Sequence, residues 1–204
     1  MAALFFESMQ IKFNNIQDLN DARYASAALS EWVGFGLNEL PIGKVQEIIG
    51  WCAGPKLTLE LNRVHSIETA QSWCNLLPVN ALECPSSDFE YWFNHMVDAG
   101  KYEWIIASDT VEDFQTLSNK HSLTAVFHLK TQSLSETSKE IAKWNSMPVT
   151  NNNLLVNVSE WLNQPSEITQ LNAPGLSIDC YPETTLGLKN YDYTNQLFEL
   201  LDIF

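Results

Sequence analysis

Three side chains in this 204-residue sequence belong to the types that move protons within one site: Glu83, His128 and Asp179. Each falls near the end of a short apolar run, in NALEC, LTAVFHL and GLSIDCY respectively. An imidazole titrates near neutral pH unaided, whereas a carboxylate does so only when its surroundings shift it there. A carboxylate on an inward position must also find water, a cation or a basic partner, because burying it alone is costly. Lys12 and Lys130 are the basic side chains placed to serve, so internal ion pairs to Glu83 and Asp179 are expected. These two carboxylates alone are too few ligands for a divalent cation. Cys52, Cys74, Cys84 and Cys180 are scattered, with no CxxC pair and no His at ligand spacing, which argues for free thiols rather than zinc or disulfides. No metal is assigned and no cofactor is implied.

The elements that must position these groups recur along the chain. Apolar runs begin at Ile11, Trp32, Lys56, Asn80, Glu103, Leu123, Asn153 and Gly175, every 20 to 30 residues, which is the length of one strand, one helix and two short loops. The intervening segments read as helices. Asp18 to Ser30 sets Leu19, Ala22, Ala25, Ala28 and Leu29 near one face, and Ile42 to Cys52 does likewise with Val45, Ile48 and Ile49. Asp109-x-x-Glu112 and Ser133-x-x-Glu136 have the form of capping boxes. Eight strand-then-helix units predict a (β/α)8 barrel of α/β class, a closed parallel sheet with outer helices, occupying residues 1–204 as a single domain. An open doubly wound sheet is the competing architecture. Against it, no GxGxxG or P-loop follows the first strand.

Composition narrows the partners. Hydrophobic residues make up 45% and aromatics 11%, enough for a packed core despite a formal net charge of -14. That charge repels phosphate backbones and anionic headgroups, so neither nucleic acid nor a membrane surface is expected as a partner. The opening MAALFFESMQ has no basic n-region, and nowhere do about 18 apolar residues run together, so a cytoplasmic protein is expected. The seven tryptophans are spread along the chain and read as packing between layers. Phe89, Trp92, Phe93 and Met96 lie at helical spacing, as core or, if exposed, as a dimer contact.

Three stretches carry a family likeness. IQDLNDARYASAALSEWVGF, from Ile16, resembles the first helix and second strand of phosphoribosylanthranilate isomerases. Leu59 to Glu83, with Asn62 after the third strand, is similar to their third unit, and PETTLGLKNYDYTNQLFEL is similar to the run that feeds their last helix. The resemblance covers nearly the whole chain and implies a barrel enzyme of tryptophan biosynthesis, in which a cysteine ending strand one is the base and an aspartate ending strand six the acid of an Amadori rearrangement. This chain departs at both positions: Asn14 stands at the base and His128 at or beside the acid. An amide cannot accept a proton as a base. Where glycine-rich turns after strands seven and eight bind phosphate in the family, VNVSEWLN and IDCYPE stand here, placing Asp179, Cys180 and Tyr181 where small residues would be.

Active sites of this fold gather at the carboxyl ends of the strands. There the sequence supplies Asn14 and His128 at the family's catalytic positions, with Asn15, Asn62, Glu83, Asn157, Ser159, Asp179 and Cys180 as candidate ligand-binding residues. Polar residues at strand ends also simply cap helices and satisfy loop amides. The expected function is a divergent isomerase-like barrel that has lost Amadori chemistry and binds or transforms another small molecule, a sugar phosphate among the candidates, as a monomer or homodimer. A genuine isomerase using unusual groups, and a noncatalytic interaction barrel, are the alternatives.

Overall fold

The computed structural model describes residues 9–62, 64–121, 125–147, 153–181 and 189–203. Eight parallel strands close on themselves in chain order: β1 (Gln10–Asn14), β2 (Trp32–Gly36), β3 (Lys56–Glu60), β4 (Val79–Pro85), β5 (Glu103–Ser108), β6 (Ala125–Leu129), β7 (Asn153–Asn157) and β8 (Gly175–Asp179). β1 pairs with β8 from Gln10↔Gly175 to Asn14↔Asp179, which seals the barrel. The open sheet is thereby excluded. Among the described residues, seven α-helices run between the strands: α1 (Leu19–Ala27), α2 (Ile42–Ile49), α3 (Ile67–Leu76), α4 (Phe89–His95), α5 (Val111–His121), α6 (Leu134–Ser146) and α7 (Pro165–Gln170). After β8 the chain adds α8 (Asp192–Leu200).

Strand alternation sends one set of side chains to the helices and the other into the bore. Phe13, Phe35, Leu59, Leu82, Phe127 and Ile178 go outward and join the main core with the helices. The inward set changes character along the axis. Trp32, Ala81, Ile105, Val126 and Leu155 form a separate apolar cluster. Two residues further along β4 and β6 stand Glu83 and His128, which with Lys12, Thr58 and Ser177 make a buried polar level. Two residues beyond Lys12, Thr58 and Ser177 come Asn14, Glu60 and Asp179, the last residues of β1, β3 and β8. Bulky branched residues usually fill such a bore; here its carboxyl half is given over to charge. The opposite mouth is closed by Trp32, whose indole donates to Glu103 at 2.9 Å, and by Lys56 between Glu103 at 3.2 Å and Glu31 at 2.9 Å.

Several local expectations are corrected. Leu29 leaves the buried face of α1 because the chain turns there with φ 52°, and the residue is 85% exposed. β4 begins at Val79 rather than Asn80, and the expected start of β6 at Leu123 lies outside the described residues. Ser133 caps α6, accepting from the Glu136 amide at 3.3 Å. At α5 the cap oxygen belongs to Thr110, which accepts from the Asp113 amide at 3.4 Å, one residue later than the box read at Asp109. Trp32 fills the bore instead of packing between layers, and Trp51 lies exposed under the Arg23 guanidinium. Phe89, Trp92 and Met96 are buried in the core, so that face of α4 is not free for a dimer contact or another partner. Among the described residues no helix is long and apolar enough to cross a membrane.

Candidate functional site at the carboxyl ends of the strands

Lys12 organises the site. It is fully buried, and its Nζ lies 2.7 Å from Glu60 Oε1 and 2.7 Å from Glu83 Oε2, while also donating to Asn14 Oδ1. The Glu83 oxygen takes the ammonium as an ion contact, with no directed hydrogen bond on that atom. Room for the pair comes from β2: a Cβ on Gly34 would stand 1.8 Å from Glu60 Oε1 and 2.8 Å from Lys12 Nζ. Glycine is required here by contact, not by backbone angle. Burial pushes the Lys12 ammonium down, but Glu60 and Glu83 override it and hold the group above its ordinary range.

Glu83 joins three elements. Its Oε1 accepts from His128 Nδ1 at 2.8 Å and lies 3.3 Å from Lys130 Nζ at the rim. Burial alone would push this carboxyl up; Lys12, then His128 and Lys130, bring it well below the usual carboxylate range. His128 goes the other way, to about 4, because burial outweighs the pull of Glu83. A neutral ring that donates Nδ1–H to Glu83 leaves Nε2 as an acceptor for the Ser177 hydroxyl, 2.5 Å away. Both ring nitrogens are occupied, and His128 itself has no exposure. Glu60 sits differently: its side chain is 19% exposed, and both its oxygens also receive the Asn15 amide, at 3.3 and 3.2 Å. Burial, then the charge of Glu83, raises its carboxyl above the ordinary value although Lys12 opposes this.

Asn14 donates Nδ2–H to Asp179 Oδ1 at 2.6 Å, and Asn157 donates to the same oxygen at 3.0 Å. The lysine partner expected for Asp179 is thus replaced by two amides. The structure brings Asn14, Asn15, Glu83, His128, Asn157, Ser159 and Asp179 to one end of the barrel. Asn62 is exposed on the following loop, where its Oδ1 accepts from the Val64 amide at 3.1 Å in a local turn. Cys180 is buried behind the mouth with its thiol pushed well up, by burial and then by Asp21, so it takes no part in the opening. Sequence reasoning missed Glu60. Its place is set by the register of β3 against β4, Glu60↔Glu83, which puts it two residues beyond the inward-facing Thr58. It also missed the buried Asp21, which receives Lys189 and, at 2.8 Å, the Tyr191 hydroxyl, fastening the segment before α8.

Two adjoining clefts open above this network. One, of about 270 Å³, is lined by Glu60, Leu61, Glu83, Ser108, Asp109 and Lys130 among others; the second, of about 230 Å³, by Lys130, Gln132, Asn157, Trp161 and Asp179 among others. Lys130 and Asp109 belong to both. Glu60, Glu83, Asp109, Glu160 and Asp179 outnumber the basic Lys130 in these linings, and among the described residues no group of three or more His, Cys, Asp or Glu is arranged to hold a metal.

The backbone amides around β7 and β8 are already donated. Val158 N–H goes to Ser177 O at 3.0 Å, Ser159 N–H to Asn157 Oδ1 at 3.0 Å, Asp179 N–H to Ser159 Oγ at 2.7 Å and Cys180 N–H to Asn14 O at 2.9 Å. The remainder of the segment after β8, residues 182–188, lies outside the described residues.

No protein-family profile and no curated protein sequence matches this chain. Solved structures do. Phosphoribosylanthranilate isomerase from Thermotoga maritima is similar over 94% of this chain and 97% of its own, with a TM-score of 0.66 and 13% identity. The isomerase from Pyrococcus furiosus is similar over 94% and 97%, at a TM-score of 0.62 and 16% identity. The likeness is one of fold. Phosphoribosylanthranilate isomerases recur among the similar structures, as the sequence resemblance led one to expect. A truncated form of 3-deoxy-D-arabino-heptulosonate 7-phosphate synthase from Thermotoga maritima reaches the same TM-score of 0.66 at 10% identity, over 97% of this chain and 86% of that truncated chain. Since barrels of different chemistry superpose equally well, function has to be argued from the site.

Proposed function

We propose that this chain is a divergent isomerase-like barrel of the cytosol that binds or transforms a small, unphosphorylated polar molecule at the carboxyl ends of its strands, without the Amadori reaction. The observation that carries this reading is the state of the phosphate-facing end. The four amides around the ends of β7 and β8 have internal acceptors, and the Asp179 carboxylate stands among them. An anion needs free N–H groups and positive potential; these four amides have no N–H to spare, and Asp179 adds negative charge among them. The position of the base supports the same conclusion, because the Asn14 amide is engaged on both sides, by Lys12 and by Asp179. A genuine isomerase using His128 and Asp179 would need His128 to reach substrate, yet both its nitrogens are bound in a closed level.

Expression in a tryptophan auxotroph that lacks the isomerase tests this directly. No growth is expected, and growth would overturn the reading. Titration of the purified protein with inorganic phosphate, followed by calorimetry or a crystal soak, is expected to show no saturable binding near Asp179.

A further inference from the structure

We propose that Glu60 and Lys130 form the proton-transferring pair of the larger cleft, acting on a small unphosphorylated polyhydroxy carbonyl compound. The inference rests on the reading that this mouth takes an unphosphorylated polar molecule, and adds which groups do the chemistry and on what.

Geometry singles out Glu60 among the carboxylates of the network. Glu83 is held by Lys12, His128 and Lys130, and its side chain is 5% exposed. Glu60 shares Lys12 but ends β3 at the cleft, with its oxygens steadied by the Asn15 amide and its remaining surface turned to the opening. Lys130 lines the same cleft, 3.3 Å from Glu83, with 44% of its side chain exposed. Glu60 and the Lys130 ammonium therefore face a single small opening, which Glu83, Asp109, Leu61, Pro85 and Ala107 also line.

Charge counting shows why this pair suits proton transfer. With His128 neutral, Lys12 offsets only one of the two carboxylates, and Lys130 supplies the second positive charge from the rim. A ligand oxygen that draws Lys130 toward itself leaves one excess negative charge beneath, and the exposed carboxylate is where a proton then settles. The raised carboxyl of Glu60 beside the lowered one of Glu83 agrees with that division.

The step balances without any other reactant. Glu60 takes a proton from the carbon beside the carbonyl; the C–H electron pair becomes a C=C bond, and the carbonyl π pair moves to oxygen as an enolate held by Lys130. If the proton on Glu60 swaps with solvent and then returns to the same carbon, the result is exchange; if it goes to the former carbonyl carbon, while Lys130 gives a proton to the enolate oxygen and recovers one from the neighbouring hydroxyl as that oxygen becomes the new carbonyl, the result is isomerisation. Lys12 acts as a positioning residue, fixing the Glu60 carboxylate from behind.

The test follows C–H to C–D exchange by NMR in D2O on the full chain with dihydroxyacetone, ribulose and xylulose as probes, alongside their binding by saturation transfer. Exchange beside the carbonyl is expected above the protein-free rate, falling by about 100-fold in Glu60→Gln and about 10-fold in Lys130→Met with binding retained. Should Glu60→Gln not fold, Glu60→Asp, which keeps the charge and withdraws it by one methylene, is expected to lower exchange while the denaturation midpoint holds. Probes that bind but exchange no faster than in the variants overturn the pair and leave the binding reading intact. No binding of any probe overturns both.

Discussion

At the scale of single residues, Lys12 is the side chain on which the site depends. Lys12→Met would leave Glu60 and Glu83 facing each other in the bore without a cation, and breaking a buried pair from one side costs about 3–5 kcal/mol. Urea denaturation at pH 7 is expected to show that loss, with part of it recovered in Lys12→Met/Glu83→Gln; equal stability of the single variant and the wild type would refute the ion-pair account. His128 adds a pH dependence of definite sign. Its folded value, about 4, lies below the ordinary 6.5, so the unfolded chain binds this proton more readily. The stability tied to keeping the ring neutral is complete above pH 6.5 and declines as pH falls toward 4, by at most about 3 kcal/mol. His128→Gln should flatten the denaturation midpoint across that window. Glu83 was legible in the sequence as a carboxylate in need of a cation, and Lys12 and Lys130 as candidates to supply it, because inward charge must be neutralised whatever the fold. Glu60 was not singled out, since nothing in KLTLE separates a mouth carboxylate from a solvated one until the register of β3 against β4, Glu60↔Glu83, is known.

At the scale of elements, the strand ends set the spacing of the site, and β2 contributes by having no side chain there. Gly34→Ala would drive a methyl group into the Glu60 carboxylate, which is pinned by Lys12 and Asn15 and cannot simply turn aside. A cost of about 1–3 kcal/mol is expected. Made on a Glu60→Ala background, the same change should cost markedly less, and equal penalties in both backgrounds would place the strain elsewhere. Five of the eight strand starts read from apolar runs, at Trp32, Lys56, Glu103, Asn153 and Gly175, coincide with those observed, because each run is a stretch buried on both faces. Helix ends were less legible. Asp109 and Thr110 are both competent caps, and only the path of the chain leaving β5 decides between them.

At the scale of the whole molecule, the net charge of -14 and the tie between the first and last helices govern behaviour. Lys189 pairs with Asp18 at 3.2 Å and with Asp21, Tyr191 stacks on Tyr24 at 3.9 Å between ring centroids, and Tyr24 donates to Asn195 at 2.6 Å. These contacts hold the first helix to the last. Lys189→Met is expected to lower the melting temperature by several degrees, because Asp21 would stay buried without its cation. Added sodium chloride should raise the melting temperature of the wild type, as self-repulsion among exposed carboxylates is screened while the enclosed network is screened far less. The resemblance read in the sequence anticipated the closed barrel, since the order of eight units survives where individual residues do not.

The division of the bore into an oily lower half and a saline upper half has one more consequence, in how the barrel breathes. Prying apart Trp32, Ala81, Ile105, Val126 and Leu155 admits water to a dry stack, whereas the upper half gains hydration for its ions as it parts. Amide protons in the first residues of the strands should therefore outlast those in the last, fraying from the ligand side downward. The end of the molecule that greets a visitor would then also be the end that yields first, letting small guests enter without melting the floor beneath them.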